Sequence, residues 1–101
     1  MTNQNDHDRD DEVTARRVVV SGRVQGVFFR DTCQRVATRL GLRGWVRNNA
    51  DGTVEAVIEG APDDVGELVD WCHEGPPRAQ VTKVDVAVEA VAGEAPFRVI
   101  G

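Results

Sequence analysis

The residues best suited to chemistry lie in one run, Ser21-Gly22-Arg23-Val24-Gln25-Gly26-Val27-Phe28-Phe29-Arg30. The β-branched triplet Val18-Val19-Val20 leads into it and favours a strand. Gly22 and Gly26 then bracket a short turn. Beyond the turn, Phe29, Cys33, Val36, Ala37 and Leu40 recur at helical spacing, with Arg30, Asp31, Gln34, Arg35 and Arg39 between them. A strand, a glycine loop and a helix start can aim several backbone N–H groups at one point. The helix N-terminus adds unpaired donors and partial positive charge. Such a place binds anions, phosphate above all. Arg30, one turn into the helix, offers a planar, permanently charged fork that matches two phosphate oxygens.

Glycines alone signify only turn geometry. No Gly-Lys-Ser/Thr follows, so the loop is not a nucleotide-binding Walker loop, and the glycine spacing is wrong for a dinucleotide site. Asn48 and Asn49 precede a turn. Either amide could orient a water molecule without becoming charged, and either could bond its own backbone instead. Cys33 and Cys72 fall on apolar helix stripes, where core packing explains them. With His73 they lack the fourth ligand and the spacing of a zinc site, so no metal or other cofactor is expected. The side chain of Arg23 reads as solvated, and Trp45 and Trp71 as core or core-edge residues.

The elements that must position these residues follow from pattern. Strands are expected at Arg16 to Ser21, Arg43 to Asn48, Thr53 to Glu59, Ala79 to Glu89 and Phe97 to Ile100. The loop spans Gly22 to Val27 and the first helix Phe28 to Leu40, stopped by Gly41. Asn49-Ala50-Asp51-Gly52 is a hairpin turn. In the strand after it, Val54, Ala56 and Ile58 share one face and Thr53, Glu55 and Glu59 the other, the pattern of a half-buried strand. Pro62 opens the second helix, with Asp63 and Asp64 in its first turn and Val65, Leu68, Val69 and Cys72 as its apolar stripe. Gly75-Pro76-Pro77 ends it. In the fourth strand Val84, Val86 and Val88 face one way. The order β-α-β-β-α-β, with a terminal strand, predicts an α+β ferredoxin-like sandwich, an antiparallel sheet with two helices on one face.

The string Gly22 to Arg30 resembles the signature of the acylphosphatase family almost position for position. Gly44-Trp45-Val46-Arg47-Asn48, followed by Asp51-Gly52-Thr53-Val54, resembles the family's second motif, and Gly75-Pro76-Pro77-Arg78-Ala79-Gln80-Val81 is a weaker third match. The resemblance covers residues 14 to 101. It implies the same fold and the hydrolysis of acyl phosphates to a carboxylate and inorganic phosphate, without metal or cofactor. It implies Arg30 and Asn48 as catalytic residues and selects Asn48 over Asn49. It implies a phosphate site formed by Arg23, Val24, Gln25, Gly26, Val27, Phe28 and Arg30, largely through backbone N–H groups. The substrate would be a small-molecule acyl phosphate and the protein a monomer, with no nucleic-acid or membrane partner. Two rivals are a phosphate- or metabolite-binding domain without turnover and an RNA-recognition domain of the same arrangement. The latter stacks bases on aromatic residues of its central strands, and Val18-Val19-Val20 and Val54-Glu55-Ala56-Val57-Ile58 contain none.

Composition agrees with a single small domain. The 101 residues, 41% of them hydrophobic, suffice for one core and not two. The net charge is −5, and residues 1–13 hold −4 of it, in five carboxylates against Arg9 alone. The body is therefore near neutral and carries no basic nucleic-acid footprint. The tail, which includes His7, is expected to be disordered. Two cysteines are too few for a secreted disulfide framework, no run is long enough to span a membrane, and the polar start does not read as a signal peptide. A cytoplasmic location is expected.

Overall fold

Strand β1, Thr14–Arg23, is the spine of the sheet, because it pairs on both sides. The computed structural model describes residues 12–101. The expected disorder of residues 1–13 thus falls outside the described residues, except for Glu12 and Val13. The other elements are α1 (Phe29–Arg39), β2 (Arg43–Asn48), β3 (Val54–Gly60), α2 (Pro62–Cys72), β4 (Gln80–Val88) and β5 (Arg98–Val99). The strand order is β4-β1-β3-β2-β5. The four long strands are antiparallel, as expected. The short β5 instead runs parallel to β2, Trp45 opposite Arg98 and Val46 opposite Val99, so the sheet is mixed. The chain reaches that edge after the long connection following β4, which frees β5 from hairpin geometry.

Period-2 alternation sorts the sheet into two faces. Val18 and Val20 of β1, Val46 of β2 and Val54, Ala56 and Ile58 of β3 are buried in one core with Phe29, Cys33, Val36 and Ala37 of α1 and Val65, Leu68 and Cys72 of α2. Each such aliphatic side chain contributes about 1.5–3 kcal/mol on leaving water. Both helices stop where the sequence says. The Gly41 N–H donates to Thr38 O at 3.0 Å and Leu42 N–H to Ala37 O at 2.9 Å, closing α1 with Gly41 at φ 72°.

Strand β3 departs from the half-buried pattern. Val54, Glu55, Ala56, Val57, Ile58 and Glu59 are all buried. The face opposite the helices is covered there too. The Glu59 carboxylate accepts the backbone N–H groups of Ala92 (2.6 Å) and Glu94 (2.9 Å), which fastens the chain after β4 across it. Glu55 is roofed by Arg17 and Arg47, whose guanidinium carbons lie 5.7 and 5.1 Å from the Trp45 ring centre. The carboxylates therefore mark partnered burial rather than solvent. Strand β4 shows the reverse. It is an edge strand, and Val86 and Val88 remain exposed despite their apolar alternation.

Candidate active site

β1 runs two residues further than expected and takes in Gly22 and Arg23, which pair with Val81 and Gln80 after a register shift at Ser21/Gly22. Gly22 permits this. At φ 121° its backbone comes so close to β4 that a Cβ would sit 2.1 Å from Gln80 O. The loop proper is thus Val24 to Phe28. Val24 and Val27 are buried and anchor it to the core. Gly26 turns it at φ 76°, and Phe28 caps α1 in the left-handed region at φ 66°. Such a conformation costs a non-glycine residue about 1–3 kcal/mol. Among the described residues, the backbone N–H groups of Gln25, Gly26, Val27 and Phe28 have no backbone acceptor. These are the donors an anion cradle needs.

Arg30 and Asn48 meet beside this loop. They line one cavity of about 220 Å³ with Val24, Gly26, Phe28, Phe29 and Asp31. Arg30 comes from the first turn of α1 and Asn48 from the last rung of β2, opposite Val54. Both carry a buried polar atom without a hydrogen-bond partner, Arg30 Nε and Asn48 Oδ1. Asp31 Oδ1 stands 4.0 Å from Arg30 Nε, too far for a hydrogen bond. Buried polar atoms are nearly always satisfied, and two exceptions on residues that line one cavity point to a polar ligand there. The volume suits a small oxyanion with a modest substituent, below the range of drug-sized pockets.

Asn49 lives differently. Its Nδ2 donates to Thr53 Oγ1 (3.0 Å) and Glu55 Oε1 (3.1 Å), and its Oδ1 accepts from Arg47 Nε (3.1 Å). Its backbone N–H donates to Thr53 O at 2.8 Å. Asp51 Oδ1 completes the hairpin by accepting Thr53 Oγ1–H (2.7 Å) and N–H (3.0 Å), bonds that lower the Asp51 pKa. Glu55 gathers Arg47, Arg17 and Asn49. Burial opposes its ionisation, but the three donors outweigh burial and hold its carboxyl below the usual range. Arg17, also bound to Glu89 at 3.0 and 3.1 Å, is raised in turn, by Glu89 first and then Glu55.

Gln25 joins the two sets. Its Nε2 donates to Asn49 O (2.8 Å) and Thr53 O (2.9 Å), tying the loop to the hairpin that carries Asn48. Sequence reasoning assigned Gln25 only a backbone part. The available signal was a long amide inside an otherwise small and apolar loop. Arg23 and Val27 line an adjoining cleft of about 450 Å³ with Gly26, Pro77, Arg78, Ala79 and Gln80. Of the expected phosphate-site residues, Val24, Gly26, Phe28 and Arg30 line the cavity with Asn48. The Gln25 side chain braces them from outside, and Arg23 and Val27 line the cleft that meets the cavity at Gly26. Cys33 and Cys72 are buried in the core, where their mutual contact and burial push the Cys33 thiol well up, while His73 is exposed.

The cavity thus offers one fixed cation, one neutral amide and a run of free backbone donors, the equipment for holding a tetrahedral oxyanion beside a water molecule. Comparison with known proteins agrees. Residues 16–99 match the family model described as Acylphosphatase. The chain is 62% identical over 79 residues to an acylphosphatase of Rubrobacter xylanophilus, covering 78% of this chain and 72% of that one. It is 55% identical over 82 residues to one of Thermococcus kodakarensis, covering 81% and 90%. Its fold is similar to the structure of an acylphosphatase from Coxiella burnetii, with a TM-score of 0.85 at 42% identity over 89% of this chain and 95% of the other. The chain belongs to the acylphosphatase family.

Proposed function

We propose that this protein hydrolyses small acyl phosphates in the cavity between the Val24–Phe28 loop and Asn48, with Arg30 clamping the phosphoryl group and Asn48 aiming the water. The observation that carries these roles is the pair of buried, unpartnered atoms, Arg30 Nε and Asn48 Oδ1, in two residues that line one cavity.

The chemistry asks for no more than these groups supply. The water oxygen forms a bond to phosphorus while the bond from phosphorus to the acyl oxygen breaks. The electron pair leaves with a carboxylate, whose conjugate acid has a pKa of about 4, so departure needs no proton. The water's protons end on phosphate and solvent. What remains is to hold the phosphoryl group, balance its charge and fix the direction of attack. Arg30 and the loop N–H groups perform the first two tasks. The Asn48 amide, neutral and able both to donate and to accept, hydrogen-bonds the water and performs the third. Gln25 keeps cradle and hairpin in register. The unpaired buried thiols of Cys33 and Cys72 fit a cytoplasmic home, and no helix among the described residues is long and apolar enough to cross a membrane.

The test is release of inorganic phosphate from acetyl phosphate by the full chain, with and without a chelator. Saturable turnover unaffected by the chelator is expected. Tight binding of phosphate with no turnover would replace this reading by that of a phosphate-binding domain.

A further inference from the structure

We propose that the Phe28 side chain is the docking surface for the acyl group, and that it selects uncharged, apolar acyl groups, aromatic ones above all. This rests on the hydrolytic reading and adds the substrate class to it.

The cavity has a floor and a mouth. Val24 and Phe29 are buried, and Arg30 and Asn48 are half-buried. The most exposed lining residues are Gly26, Phe28 and Asp31. A phosphoryl group held by Arg30 and Asn48 leaves its acyl end at that mouth. Gly26 has no side chain, so Phe28 and Asp31 decide what the acyl end meets.

Phe28 is unusual in two independent ways. Its side chain is 67% exposed, whereas the adjacent Phe29 is 1% exposed and packs 5.0 Å from Trp71. It is also the one non-glycine residue at positive φ among the described residues. Glycine or asparagine would make this turn with less strain and without an exposed ring. The ring is therefore not what builds the loop. It is held outward at the rim of the cavity, and a flat apolar face there takes a flat apolar partner by offset or edge-to-face contact. Asp31, whose side chain is 59% exposed on the same rim, repels an acyl group that carries its own carboxylate or second phosphate. An uncharged ring is the group both residues accept.

The experiment measures kcat and KM for benzoyl phosphate and acetyl phosphate on the full chain, in wild type, Phe28→Asn, Phe28→Gly and Phe28→Trp. Asparagine and glycine both tolerate the left-handed backbone and lack the apolar ring. Damage to the phosphoryl cradle falls on both substrates alike. The ratio of the two kcat/KM values therefore reports the acyl end alone. That ratio, benzoyl over acetyl, is expected to fall about tenfold in Phe28→Asn and Phe28→Gly, mainly through KM for benzoyl phosphate, and to be kept in Phe28→Trp. If one of the small variants does not fold, the other reads the same ratio. A ratio that moves less than about twofold in a variant still turning over both substrates overturns this proposal alone. Wild-type protein that hydrolyses neither substrate overturns the hydrolytic reading and this one with it.

Discussion

On the open face of the sheet, Arg17, Arg47, Asn49, Glu55 and Glu89 bond one another through charge-assisted contacts near 3 Å, with Trp45 against both guanidiniums. Around the cavity, on the far side of the same hairpin, Arg30 Nε and Asn48 Oδ1 bond nothing. Both regions use arginine and asparagine, and Asn48 and Asn49 are even sequence neighbours. The difference lies in whether folding consumes the polar capacity of the residue or leaves it open. A satisfied network fixes geometry. An unsatisfied buried atom lowers stability and is useful only to something that arrives later. The two regions should therefore respond oppositely to mutation, one in turnover and the other in stability.

The largest effect belongs to the open group. Arg30→Lys keeps the charge and loses the fork, so turnover of acetyl phosphate should fall more than about a hundredfold, the scale of one transition-state donor. Its melting temperature should stay close to wild type, because Arg30 Nε has no protein partner to lose. Near-normal kcat in the folded variant would remove Arg30 from the clamp.

Next come the two asparagines. Asn48→Ala should lower kcat by roughly tenfold or more while inhibition by inorganic phosphate and melting temperature hold steady, because aiming water matters chiefly in the transition state. Asn49→Ala strips donors from Glu55 and Thr53 and an acceptor from Arg47, and should cost about 1–3 kcal/mol of stability in urea unfolding. If the two variants prove alike in both readouts, the contrast between the regions is false.

Gln25 tests whether the regions are coupled. Gln25→Met keeps the length and removes the donor, leaving Asn49 O short of one partner. A stability loss of about 1–2 kcal/mol is expected, with a several-fold drop in kcat for acetyl phosphate as loop and hairpin lose register. Stability loss with unchanged kcat per folded molecule would confine Gln25 to architecture.

Local pattern carried most of the fold into the sequence. Helix stripes, Pro62, Gly41 and the turn at Asn49–Gly52 are short-range signals, and the elements stand within two residues of where they point. Three features were not legible because their causes are long-range. Glu55 and Glu59 look solvent-facing by alternation and are buried by partners up to 38 residues away. β5 chooses a parallel neighbour for reasons no window of its own reveals. The separation of Asn48 from Asn49 depends on Thr53, Glu55 and Arg47 converging on one amide and not the other. At the site, the position of Arg30 in the first turn of α1 was readable from the loop-helix junction, while its part in the chemistry came only from the resemblance. Phe28 was not, since its exposure follows from a single dihedral angle.

The smallest effect concerns acid. The Glu55 pKa is lowered in the folded chain because the bonds from Arg47, Arg17 and Asn49 together outweigh the burial that resists ionisation. A depressed carboxylate adds stability that is fully present above the unfolded value, about 4.3, and is lost as pH falls through the folded value. Stability measured from pH 6 down to pH 3 should therefore decline, with part of the slope owed to Glu55. Glu55→Gln keeps the shape, lowers stability at pH 6 and flattens that decline, since its amide does not titrate. Arg30 and Asn48 share no bond with Glu55, so kcat per folded molecule at pH 6 should change little. A Glu55→Gln variant with the wild-type acid slope would show that the open-face network is not where the protein keeps its acid sensitivity. One that loses turnover without losing stability would show that the two regions are a single machine, with Asn49 and Gln25 as the path between them.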